Sequence, residues 1–339
     1  MPALAPRVHG APPARAGAGV APAPSRFQEG RMTRVLITHA EPEALAREVE
    51  GVLGESIPWT GLEGAGDATA DVWFCAGLPP PAPVALPALR WIQSGWAGIE
   101  AWSGRPEWRD GVTLTRTVGD FPKRIAEYVF GYLLAWELGV PEALRQMEAR
   151  EWKRWTPGTL AGSSLLVVGY GAIGAHVGSV GRELGMRVEG IRRGPVPAGE
   201  DAAGMYGPDA IRDRLPHAEF IVNLLPHTPA TESFWNRERF ALMREGATFV
   251  NASRGATVDE AALLEGIAKG RPARALLDVF REEPLPATHP LRTAKGIWIT
   301  PHVAGIGTLR PLAEDFAENW RRYRSGVALR NVVDRARGY

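Results

Sequence analysis

The chain has almost no cysteine. Cys75 stands alone among 339 residues, so no internal disulfide can form and no cysteine cluster is available for zinc. It lies in the apolar run VWFCAGL and reads as a small buried hydrophobe rather than a nucleophile. Net charge is nearly absent too. Lys and Arg number 39 against 38 Asp and Glu, leaving +1. That balance gives no whole-chain attraction to nucleic acid or to an anionic membrane surface. No apolar run reaches the roughly 18 residues of a membrane-spanning helix. The expectation is a cytoplasmic protein with no nucleic-acid partner, no membrane partner and no metal. A reducing compartment suits the single thiol.

Residues 1–31 lack large apolar side chains and are rich in Ala, Pro and Gly. Such a segment buries too little surface to offset its ordering entropy, which predicts disorder. It holds no compact apolar stretch of the kind a secretory signal needs. It is poor in acid and has several arginines, as transit peptides do, but serine is scarce. A plainer reading makes Met32 the natural start; N-terminal sequencing of the native protein decides between them.

The rest is ordinary globular sequence, 45% apolar and 23% charged, and its length suggests about two domains. VLITHA after Arg34, Asp71–Ala76 and Leu89–Gln93 read as buried strands, with a helix over Glu43–Leu53 between the first two. Strands alternating with helices indicate a parallel α/β sheet. Pro122–Ala149 reads as one long helix, with Ile125, Val129, Tyr132, Leu133 and Trp136 at helical spacing. The tryptophans of the following EWKRWTPGTLAG segment read as packing at a domain junction. Six more strands are predicted over Leu165–Val168, Val188–Ile191, Phe220–Leu224, Thr248–Asn251, Ala275–Leu277 and Trp298–Thr300. Leu312–Tyr323 reads as a helix returning to the first domain.

Gly169-Tyr170-Gly171-Ala172-Ile173-Gly174 is a G-x-G-x-x-G turn. It follows the LLVV strand and opens a helix, which is the context that gives the motif meaning. Gly169 allows the tight turn, Gly171 admits a pyrophosphate, and Gly174 lets helix and strand pack closely. Ala172 and Ile173 lie at the helix start, where free N–H groups favour phosphate. An NAD site usually carries an acid about 20 residues on, for the ribose hydroxyl. Arg192 and Arg193 stand there instead, and two guanidinium groups suit a 2′-phosphate. NADP is therefore the preferred cofactor, with NAD the alternative.

Three further segments complete the pattern: VNASRG around Arg254, LDVFREEPLP around Asp278 and Glu283, and ITPHVAG around His302. With the glycine turn, they make residues 34 to 325 resemble the D-isomer-specific 2-hydroxyacid dehydrogenase family, nearest its glyoxylate/hydroxypyruvate reductase branch. The resemblance implies hydride transfer between NAD(P)H and a small 2-oxo acid. Arg254 matches the arginine that holds the substrate carboxylate and polarises the keto oxygen. His302 matches the general acid, and Glu283 the carboxylate that orients it and favours imidazolium. Asp278 matches a residue that binds the nicotinamide carboxamide. Leu225, Pro226, Thr231, Ala252 and Ser253 match cofactor-lining positions. Gly95, Trp96, Ala97 and Gly98, in SGWAGIE, match a loop whose amides bind the substrate carboxylate; Trp96 is placed to cover the substrate.

The implied architecture is α/β, two doubly wound parallel-sheet domains. A Rossmann cofactor domain, 122–304, is inserted into a flavodoxin-like substrate domain, 32–121 plus 305–339. The resemblance also implies a homodimer formed through the cofactor domain and its long helix. Formate and phosphite dehydrogenases share this scaffold, but the formate branch pairs its histidine with an amide, unlike Glu283. Dinucleotide-sensing corepressors also share it, and no partner-recruiting extension is recognisable here.

Overall fold

A computed structural model describes residues 33–62, 69–194 and 204–335. The predicted disorder of residues 1–31 lies outside the described residues.

Two parallel sheets are present. The first holds β1 (Val35–Thr38), β2 (Trp59–Thr60), β3 (Val72–Cys75), β4 (Trp91–Ser94) and β5 (Thr113–Arg116) in the order β2-β1-β3-β4-β5. That is the flavodoxin-like order. β1, β3 and β4 are buried along their whole length; β1 and β3 are almost wholly apolar, whereas β4 ends on the buried polar side chains of Gln93 and Ser94. Helix α1 (Pro42–Leu53) covers one face.

The second sheet holds β6 (Ser164–Val168), β7 (Arg187–Ile191), β8 (Met205–Tyr206), β9 (Phe220–Asn223), β10 (Thr248–Asn251), β11 (Arg274–Leu277) and β12 (Ile297–Ile299). Their order is β12-β11-β10-β9-β6-β7-β8. The chain runs outward from β6 on one side, then restarts at β9 on the other. The crevice between β6 and β9 is thus a topological switch point, where such sheets bind ligands. Sequence predicted six strands in this sheet; the seventh is the two-residue edge strand β8. β2 and β5 were likewise unforeseen. Two residues carry no periodicity, and TLTR of β5 is too polar to read as a buried run.

The predicted long helix is two helices. α2 spans Phe121–Glu137 and α3 spans Val140–Ala149. Gly139 between them is left-handed, with φ 74°. Pro141 follows, and it has no N–H to continue the ladder. α2 buries Ile125, Ala126, Val129, Phe130 and Leu133 and packs on α4 (Ala172–Glu183). Tyr132 and Trp136 face Trp298 of β12 instead. The tryptophans after α3 also depart from expectation. Trp152 is 92% exposed, and Trp155 donates to the Leu138 carbonyl at the bend between the two helices.

After β12 the chain turns back, and α5 (Leu309–Arg324) packs on the first sheet. Phe316 stacks on Phe74 at 4.4 Å and on Trp91 at 5.3 Å. Truncating such a buried ring costs about 3–5 kcal/mol. This packing joins the chain's C-terminal helix to strands some 240 residues earlier, by the numbering of Phe74 and Phe316.

Candidate active site

The polar groups of interest sit at the C-terminal ends of strands, where side chains project into the crevice. His302 follows β12. Its backbone is left-handed, with φ 55°, a conformation that a non-glycine residue adopts at a cost. The turn is held by Asp278, just beyond β11. Asp278 Oδ1 accepts from Thr300 Oγ1 at 2.6 Å and from the Val303 amide at 2.8 Å. Oδ2 accepts from the Ala304 amide at 2.9 Å. The His302 amide in turn donates to the Asp278 carbonyl at 2.9 Å.

The imidazole is oriented from one side. His302 Nδ1 lies 2.7 Å from Glu283 Oε2, and Glu283 Oε1 accepts from the Phe280 amide at 2.9 Å. With Nδ1 engaged, Nε2 is the nitrogen left for a ligand. The indole of Trp96 lies edge-on to this ring, 6.3 Å between centroids.

Arg254 follows β10. Its Nη1 donates to the Ser253 carbonyl at 2.7 Å, and its Nε to Glu100 Oε1 at 3.0 Å. Gly98 lies directly against it: a Cβ there would fall 1.6 Å from Arg254 Nη2. The loop after β4 therefore touches Arg254 through Gly98 and His302 through Trp96. Within this loop the Ala97 carbonyl accepts from Arg116 Nη1 at 3.1 Å. The Ala97 and Gly98 amides donate to no acceptor among the described residues.

The glycine turn occupies the switch point. Gly169 has φ 102°, and a Cβ there would lie 2.5 Å from the Leu224 carbonyl group. At Gly174 a Cβ would lie 2.5 Å from the Gly169 oxygen. At Gly171 it would meet nothing within 4 Å, which leaves room for a phosphate at the start of α4. Beyond β7, Arg192 Nε is buried with no hydrogen-bond partner among the described residues. Glu189, the nearest acid, is already engaged: Arg214 Nη1 is 3.5 Å away, and Tyr206 Oη donates to it at 3.4 Å. These residues fit a nicotinamide dinucleotide.

Residues 130–304 match the family described as D-isomer specific 2-hydroxyacid dehydrogenase, NAD binding domain. The chain is 35% identical over 217 residues to a glyoxylate/hydroxypyruvate reductase A of Photorhabdus laumondii, covering 64% of this chain and 69% of that one. It also superposes on the D-isomer specific 2-hydroxyacid dehydrogenase of Xanthobacter autotrophicus Py2, crystallised with NADPH and MES. There the TM-score is 0.81 at 29% identity, covering 91% of this chain and all of that one (100%). The NADPH-dependent glyoxylate/hydroxypyruvate reductase of Sinorhizobium meliloti, with NADP and sulfate, gives 0.80 at 25% identity, with coverage of 91% and 100%. The chain belongs to the D-isomer-specific 2-hydroxyacid dehydrogenase family. It is a nicotinamide-dependent oxidoreductase of the 2-hydroxyacid dehydrogenase type, as its motifs implied.

Within this dehydrogenase the structure brings Arg254, through Gly98, and the Glu283–His302 pair, through Trp96, to one loop. Several expected cofactor contacts have other duties. Asp278 is 1% exposed, and its Oδ1 accepts two bonds and its Oδ2 one from the 300–304 turn, so it shapes the His302 loop. Thr231 Oγ1 accepts from the Thr228 amide at 2.8 Å and lies 2.6 Å from the Pro226 carbonyl, closing its own turn. Ser253 Oγ is bonded to the Leu225 carbonyl, and Ala252 is buried. Gly95 serves the fold as well: its Cβ would fall 2.5 Å from Ala76 Cα.

Sequence reading missed Glu100, Arg116, Tyr128 and Thr300. Tyr128 Oη lies 2.6 Å from Thr300 Oγ1, extending the Asp278 network into α2. Burial pushes the Tyr128 hydroxyl above its ordinary pKa, so it stays a neutral hydrogen-bonding group. Among the described residues no group of three or more His, Cys, Asp or Glu side chains gathers to hold a metal. Nor, among them, is any helix long and apolar enough to cross a membrane.

Proposed function

We propose that this dehydrogenase reduces a small 2-oxo acid to the D-2-hydroxy acid, preferring NADPH to NADH, with glyoxylate and hydroxypyruvate as the first candidates. One observation carries the reading: a single loop meets Arg254 through Gly98 and the Glu283–His302 pair through Trp96.

Gly169, Gly171 and Gly174 would hold the pyrophosphate of a nicotinamide dinucleotide, which in its reduced form would supply the hydride. Arg254 and the free amides of Ala97 and Gly98 hold the substrate carboxylate, and Arg254 polarises the keto oxygen. As hydride reaches the keto carbon, negative charge builds on that oxygen. His302 Nε2 gives it a proton. Glu283 on Nδ1 holds the ring in position and stabilises its charged form. Trp96 covers the substrate and limits the size of its side chain.

The preference for NADPH rests on Arg192, whose buried Nε lacks a partner among the described residues, and on Glu189, whose charge Arg214 already offsets. Arg193 is exposed beside it. The two crystallised relatives hold NADPH and NADP, which agrees with this reading. We place this chain in the cytoplasm as a homodimer, without nucleic-acid or membrane partners. Leu144 and Met147 of α3, with Trp152 beyond it, expose apolar surface that a second copy would cover.

The test is a panel of 2-oxo acids assayed with NADPH and NADH side by side. The reading predicts turnover, with a higher kcat/KM for NADPH. In Arg192→Ala/Arg193→Ala, NADPH should lose more than NADH. Equal losses refute the 2′-phosphate site, and NADPH binding without turnover of any acid favours a sensor over an enzyme.

A further inference from the structure

We propose that Glu100 is a positioning residue for this reaction: its carboxylate grips one edge of the Arg254 guanidinium and aims the remaining donors at the substrate. The proposal rests on the reading of Arg254 given above.

Glu100 opens the short helical turn that follows the 95–98 loop. Arg254 lies 154 positions away, just past β10 of the other sheet, so their pairing links the loops of the two sheets. Arg254 Nε donates to Glu100 Oε1 at 3.0 Å, and Nη2 lies 3.5 Å from Oε2. Nη1 donates to the Ser253 carbonyl at 2.7 Å. A guanidinium has five N–H donors. Those contacts take one on Nε and one on each terminal nitrogen. The two left over sit one on Nη1 and one on Nη2. That is a fork suited to a carboxylate, and Glu100 together with Ser253 fixes the plane in which it lies.

Gly98 makes the arrangement possible. A Cβ there would fall 1.6 Å from Arg254 Nη2 and 2.5 Å from Glu100 Oε2. Any other residue at 98 would push the pair apart. Arg116 secures the loop from below through the Ala97 carbonyl. Burial lowers the Arg116 pKa and the nearby Glu100 charge opposes that, so both arginines feel one carboxylate. The Arg254 and Glu100 side chains are 31% and 36% exposed. A pair so open to solvent adds little to stability. Its consequence is orientation of a group that meets substrate, where a displacement of about 1 Å can cost about 100-fold in rate.

The experiment compares the native enzyme with Glu100→Ala and Glu100→Gln, using glyoxylate, hydroxypyruvate and NADPH. Glu100→Ala should lower kcat/KM by about 10- to 100-fold. NADPH affinity, read by fluorescence titration, should stay native. Glu100→Gln keeps an oxygen acceptor for Nε and should recover most of kcat. A crystal structure of Glu100→Ala gives a readout free of turnover: Arg254 should leave its place against Gly98. Native kcat/KM in Glu100→Ala, a Gln variant as impaired as the Ala variant, or an unmoved guanidinium each overturns the proposal. A native enzyme that reduces no 2-oxo acid refutes the proposed function instead; the crystal structure still decides the role of Glu100.

Discussion

Replacing Asp278 with Asn tests what the His302 loop depends on. The carboxylate is fully buried and accepts three hydrogen bonds, from Thr300 Oγ1, the Val303 amide and the Ala304 amide. Asn keeps one oxygen acceptor and turns the other position into a donor. With its oxygen toward Thr300 and Val303, its NH₂ faces the Ala304 amide, donor against donor. Ala304 is buried, so water cannot easily replace the lost acceptor. Stranding a buried donor costs about 1–3 kcal/mol. The lost charge weakens the two remaining bonds as well, since bonds to charged groups contribute about 1.5–3 kcal/mol each against about 1 for neutral ones. Together these give about 2–7 kcal/mol, concentrated on a turn that already holds His302 at φ 55°. That exceeds the roughly 1–2 kcal/mol by which left-handed backbone is disfavoured, so the turn should relax. His302 then leaves Glu283, and kcat should fall at least 10-fold at about 1.4 kcal/mol per decade. Steady-state kinetics and NADPH titration are the assays. Native NADPH affinity with reduced kcat is the predicted pair. Weakened NADPH binding with native kcat would instead return Asp278 to the nicotinamide and refute the structural role.

Other perturbations follow from the same geometry. His302→Ala should reduce kcat by about 10²–10⁴-fold, the usual scale for general acid–base catalysis; native kcat removes His302 from that role. Trp96→Ala should raise kcat/KM for bulky 2-oxo acids relative to glyoxylate; an unchanged ratio rules out a covering role. Glu107 is 2% exposed and accepts from the Val84 amide at 2.7 Å and from Arg105 at 2.8 and 3.1 Å. Burial raises its pKa, but Arg105 and the amide outweigh burial and the net shift is downward. A carboxyl depressed in the folded state contributes stability above its unfolded pKa and loses it as pH falls through the folded value. Glu107→Gln should therefore destabilise by about 3–5 kcal/mol at neutral pH, with the gap closing in acid. A gap independent of pH, in urea unfolding, contradicts this.

Local chemistry was legible in the sequence, and long-range pairing was not. The glycine turn could be read because its strand, turn and helix are contiguous. Arg254, Glu283 and His302 stood out because the segments around them resemble the family's motifs. Glu100 had no such signal, since its partner is 154 positions away and acids on loops are common. The duty of Asp278 was hidden for the same reason: its acceptors' partners lie 22 to 26 positions on. The break before α3 was different. Gly139 and Pro141 were visible, but the apolar spacing on either side of them masked the bend.

The central claim is stereospecific reduction of a 2-oxo acid in the cleft shared by Arg254 and His302. Its most direct test is the product itself. Hydroxypyruvate incubated with NADPH and the purified enzyme should give glycerate in step with NADPH loss, and chiral chromatography should find the D form. L-glycerate, or NADPH loss without glycerate, would contradict the account.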